Sequence, residues 1–240
     1  MASSAQPLAP PRAAAIAGVI FSLLLSITVV ISRLAIPPVQ SDTGEWLTDP
    51  VRRNAARFAI QLAPFSGIAF LWFLGVIRNR LGVLEDQFFA TVFFGSGLLF
   101  VANLFVSAAL AGALLEGVAQ GQSSLLHSDT YQLIRQMIGA SMNIFAVKMA
   151  GVFMVSTSTI VTRTGILPRW VAYSGFACAA VLLLSVTNWP WILLIFPFWI
   201  TILSIRILLM EFRPMRHAPT DAATNAAAAA PREHFHSDSA

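Results

Sequence analysis

Six long apolar stretches alternate with short polar connections along the chain, at residues 13–36, 58–77, 88–115, 138–161, 171–186 and 191–210. All but the fifth reach the ~20 apolar residues that a helix needs to cross the hydrocarbon core of a bilayer. The pattern predicts an all-α fold, a polytopic transmembrane helix bundle of six spans occupying residues 13–212. Residues 1–12 and the Ala-rich stretch 213–240, with five alanines at 226–230, are expected to be disordered N- and C-terminal tails.

Local signals refine the boundaries. The first apolar run is longer than the 7–15 residues of a signal-peptide core, and Pro37-Pro38 follows it in place of a small-residue cleavage site, so a retained helix is expected. Arg33, within a turn of its end, can snorkel to the interface. Residues 39–57 form the longest clearly polar connection between spans and set Asp42, Glu45 and Asp49 against Arg52, Arg53 and Arg57; this loop reads as a solvated tether, with a small-molecule or partner site as the alternative, and Trp46 suits the headgroup level. Thr48-Asp49-Pro50 offers an N-cap followed by proline at the first helical position. Pro64 is expected to kink the second span and Pro197 the sixth. Small residues crowd the third span, where helix backbones can approach closely. Asp129 is placed to cap a helix that starts at Tyr131 and runs unbroken into the fourth span. The turns Arg80-Leu-Gly-Val-Leu84 and Arg163-Thr-Gly-Ile-Leu167 echo one another; a shared need for a glycine C-cap and an interfacial arginine accounts for this, with duplication of a helical hairpin as the alternative.

Charge fixes the expected orientation and removes some functions. Charged residues are 11% of the chain against 57% hydrophobic, where a soluble domain carries about 25% charged residues. The net charge of +4 comes from arginines at segment ends, so the expected partner is the lipid bilayer and not nucleic acid. With the N-terminus inside, nine arginines fall on the inner segments and five on the outer, which puts both termini in the cytoplasm. A homo-oligomer or other membrane proteins are further possible partners, through the small-residue faces. The single cysteine, Cys178, permits no internal disulfide and reads as a structural thiol.

The candidate chemistry centres on Lys148, the only lysine and the only charge deep within a span. At 100° per residue, Ser141 and Thr159 lie within about 20° of it, forming a narrow polar stripe. On the third span, Ser96 and Ser107 lie within about 40° of Asn103 on the same wheel. Two readings remain open. These residues form a polar seam for a proton, an anion or a small solute; or Lys148 donates to Asn103, Ser107 or a carbonyl freed near Pro64 and fixes the packing. No intramembrane carboxylate is available as a counter-ion for a retinal Schiff base. The histidines His127, His217, His234 and His236 lie outside the spans, and His127 with Asp129 fits no zinc spacing. No phosphate-binding, dinucleotide or hydrolase motif occurs. No catalytic, metal or cofactor-binding residues are therefore assigned, no cofactor is expected, and the protein is read as not an enzyme.

The turn Arg163-Thr-Gly-Ile-Leu-Pro-Arg-Trp170, followed by Val-Ala-Tyr-Ser-Gly, resembles that of uncharacterised small six-helix integral membrane proteins of high-GC, actinobacterial-type bacteria. The resemblance implies six helices and a bacterial plasma membrane, and it brings no activity. The function expected is that of a non-enzymatic membrane structural or interaction protein; the alternative is a small-solute, proton or anion transporter or channel built on Lys148 and Asn103.

Overall fold

A computed structural model describes residues 11–81, 87–121, 124, 126, 128–185, 189 and 191–211; among these, every regular element is helical. Helix α1 spans Pro11–Ala35, and a 3-10 turn (Val39–Ser41) and a one-turn helix α2 (Glu45–Thr48) follow it. Then come α3 (Pro50–Leu81), α4 (Gln87–Ala119), α5 (Asp129–Ala140), a π-helical segment (Ser141–Ala146), α6 (Val147–Thr164) and α7 (Arg169–Leu184). A 3-10 turn, Ile192–Leu194, leads into α8 (Ile195–Glu211). Below, "lower" means the end with the turn between α6 and α7, and "upper" the end with α2.

Stretches Ala13–Ala35, Pro50–Arg78, Phe88–Ala119, Asp129–Thr164 and Ile192–Met210 are long and apolar enough to cross a membrane. The fifth expected span falls short of that. α7 has 16 residues, or about 24 Å at 1.5 Å each, against a core of ~30 Å.

The described ends of these helices follow from local chemistry. Asp49 Oδ1 accepts the Val51 N–H at 2.9 Å, just ahead of Pro50, so the second long helix starts eight residues before the apolar run does. Gly165 adopts φ 64° and closes α6 by donating to the Val161 carbonyl, a left-handed cap that glycine takes without strain. Ser128, not Asp129, caps α5, its hydroxyl accepting the Tyr131 N–H. That helix does run on into the Lys148 region as one stretch, Asp129–Thr164, with a π-helical turn at Ser141–Ala146. The expected tails, the turn around Gly82, and His127 lie outside the described residues, apart from Pro11 and Arg12, which open α1.

The helices close into a ring. α1 packs on α3 and α8, α3 on α4, α4 on α6 and α6 on α7, with a thinner contact from α7 back to α8. Phe70 lies at the centre, its ring 4.5 Å from Phe21, 5.3 Å from Phe153, 5.6 Å from Phe100 and 5.8 Å from Phe196. Four helices thus meet α3 through one aromatic residue, with tilted and edge-on pairs that each add about 0.5–1.5 kcal/mol beyond their area. The organising residue of the bundle is this phenylalanine, and Lys148 sits to one side of it.

Small residues bring the neighbours in. A Cβ on Gly18 would lie 2.1 Å from Ser204 Oγ, and one on Gly175 would lie 2.1 Å from Ser158 Oγ. The α1–α8 and α6–α7 contacts therefore depend on glycine facing serine. At the lower end, guanidinium groups cover aromatic rings: Arg78 on Phe94, Arg163 on Phe89 and Arg206 on Trp170, each 4.5–4.6 Å from the ring centre.

The upper end overturns the tether expectation. Trp46 and Leu47 are fully buried, in a small second core with Ala35, Ala56, Leu114, Leu115 and Tyr131. Trp46 is packed against protein and not turned outward; its indole N–H donates to the Tyr131 hydroxyl at 3.0 Å. Asp42 pairs with Arg135, not with the arginines of its own loop, and it also accepts from the Tyr131 hydroxyl (2.7 Å) and the Gly44 N–H (2.9 Å). The loop between α1 and α3 is a packed lid.

Candidate functional site

Lys148 lies on the first turn of α6, beside the upper end of α7. Its ammonium donates to the carbonyls of Leu183 (2.7 Å), Ser185 (2.8 Å) and Leu182 (3.1 Å). An ammonium has three donors, and three carbonyls take them. The last four carbonyls of a helix lack partners within it and carry the negative end of its dipole. α7 ends at Leu184, and the carbonyls of Leu182, Leu183 and Ser185 at that end are the ones the ammonium takes. Lys148 is a C-cap supplied by a neighbouring helix.

The seam expected from the sequence is not assembled around it. Asn103 donates to the Leu99 carbonyl of its own helix at 2.8 Å. Ser96 bonds back to the Val92 and Phe93 carbonyls, and Thr159 to that of Val155. Thr159 keeps its place on the Lys148 face of α6, but Ser141 does not. It opens the π segment, and a π turn inserts about one residue, so the wheel slips by roughly 100° between Ser141 and Lys148. Ser107 is buried and faces the cavity described next.

That cavity, of about 350 Å³, lies under the lid between α1, α3, α4 and the π segment. Its deeper walls are apolar, including Val29, Ala63, Leu104 and Ala108. Its polar rim holds two arginines in contrasting states. Arg135 is buried and neutralised: Nε donates to Asp42, and Nη2 to the Pro37 carbonyl at 2.7 Å. Arg33, reaching in from α1, donates through Nη2 to Asn143 Oδ1 on the π segment. Among the described residues no carboxylate comes within 4 Å of Arg33. Its charge is thus uncompensated at the cavity wall. Thr28, also lining the cavity and 4% exposed, has a hydroxyl with no hydrogen-bond partner.

Sequence reading took Arg33 as a snorkelling interfacial residue and passed over Asn143 and Thr28. One signal was available: Asn143, a polar side chain inside an apolar run, lies at the same level of the bundle as Arg33. What could not be read was the π turn that aims it. Among the described residues no three His, Cys, Asp or Glu side chains gather to hold a metal. No known protein family, curated protein or solved structure matches the chain.

Proposed function

We propose that the protein is a non-enzymatic structural or interaction protein of a bacterial plasma membrane, crossing it six times with both termini in the cytoplasm. In this reading α7 is the sixth crossing, too short alone and completed by Lys148. The observation that carries it is the saturation of Lys148 by three carbonyls. Lys148 is thereby part of the scaffold. A conducting seam through Lys148 would have to strip the end of α7 of its cap, and Asn103 is turned to its own helix. The cation–π contacts of Arg78, Arg163 and Arg206 at the lower end agree with an inner face rich in arginine.

Two measurements test this. In a Cys178→Ala background, Ser239→Cys should resist a membrane-impermeant maleimide on intact cells, whereas Gln120→Cys should react. Labelling of Ser239→Cys from outside removes the cytoplasmic C-terminus. Purified protein in liposomes should pass neither protons nor chloride above the lipid background. A flux that vanishes in Lys148→Met would restore the transport reading.

A further inference from the structure

The cavity under the lid has the composition of a binding site, and the roles of its wall residues say for what. Its volume of about 350 Å³ falls within the usual range for small-ligand sites. A guanidinium carries five N–H donors, and Arg33 commits Nη2 to Asn143. The amide nitrogen of Asn143 sits over Gly139, another wall residue, 3.9 Å from where a glycine Cβ would be. The unpartnered Thr28 hydroxyl and the Ser32 and Ser107 hydroxyls complete the polar side. Every one of these groups can donate. Asp42, the carboxylate bonded to the wall residue Arg135, is already held by Arg135, Tyr131 and Gly44.

We infer that this cavity binds an amphiphile with a singly charged oxyanion head, a carboxylate or a phosphodiester. The head pairs with Arg33 and takes further donors from Asn143 and Thr28, while its apolar tail lies along Val29, Ala63, Leu104 and Ala108. One charge is specified because, among the described residues, Arg33 is the wall cation with no carboxylate within 4 Å, whereas Arg135 has its own. A tail is specified because the rest of the wall is apolar. The π segment fits this role, since single π turns are frequent at functional sites and this one carries Asn143. Neither the number of crossings nor the absence of catalysis enters the inference. The amphiphile's source is either the aqueous phase or the membrane, as the phosphate of an anionic lipid.

Calorimetric titration of the full chain, delipidated in a non-ionic detergent, distinguishes these. Decanoate should bind saturably with one site per chain, and decanol, lacking the charge, should bind about tenfold or more weakly. Arg33→Gln should lose about tenfold or more for decanoate, as a charge-assisted hydrogen bond would. If that variant fails to fold, Ala108→Leu, which fills the apolar end and leaves Arg33 in place, should show the same loss. Phosphatidylglycerol in mixed micelles provides the lipid arm. If it displaces decanoate and its own binding falls in the same variants, the membrane is a source; if decanoate alone binds, the source is aqueous. Equal binding of decanoate and decanol, or decanoate binding unchanged in every variant that folds, overturns the inference, as does failure of both anions to bind.

Discussion

Two cations sit at similar heights in the upper half of this bundle, and their surroundings differ in kind. Lys148 has three carbonyl acceptors for its three donors. Arg33 has a neutral amide oxygen, spare donors and about 350 Å³ of space beside it. The lysine is consumed by the fold, whereas the arginine is held out towards something else. The difference teaches that a charge inside a membrane bundle must be judged by its unfilled valence. Depth alone does not tell the two apart.

That contrast can be broken in order of effect. Lys148→Met strands the end of α7 and should destabilise the protein by about 4 kcal/mol, since removing one partner leaves buried acceptors unmet. Thermal unfolding in detergent would show it, together with new protease cleavage near residue 189. A variant as stable as the parent would mean the cap is ornamental. Asp42→Asn removes the counter-charge of Arg135 and should cost about 3 kcal/mol. It should loosen the lid and leave α7 protected, so hydrogen exchange rising around Trp46 and not around Leu182 is the expected signature. Gly175→Ala forces a methyl against Ser158 and Trp199 and should cost about 2 kcal/mol. Because it shifts α7 against α6, its cost should shrink in the Lys148→Met background, where α7 is already loose; strict additivity in a double-mutant cycle would deny the coupling.

Arg33→Gln should change stability by less than about 1 kcal/mol in either direction. It exchanges one hydrogen bond for relief of an unpaired partly buried charge. A loss as large as that for Lys148→Met would show that Arg33 too belongs to the scaffold. Gly95→Ala, with nothing within 4 Å of the added methyl, serves as the control and should stabilise by up to about 1 kcal/mol through helix propensity.

Much of the architecture was legible in advance because lipid permits few solutions: backbone groups must be satisfied within helices, so apolar runs of sufficient length name the elements. The starts at Pro50 and the stop at Gly165 were legible too, because caps are local. The lid was not. Asp42 and Trp46 look like ordinary loop residues until Arg135 and Tyr131, some ninety positions later, are folded against them. The polar stripe through Ser141 failed for a different reason, since a helical wheel assumes a constant twist and the π segment breaks it.

By itself, then, the sequence determined an all-helical chain suited to lipid, the approximate extent of each apolar helix, and the presence of a lysine that needed explaining. Tertiary structure alone decided that Phe70 is the hub, that Lys148 finishes a helix too short to finish itself, and that Arg33 faces a cavity. The physical reason is range. Hydrophobic length and capping act over a few neighbouring residues. The pairing of a buried charge depends on which distant carbonyl, amide or carboxylate the closed ring of helices brings within hydrogen-bond distance.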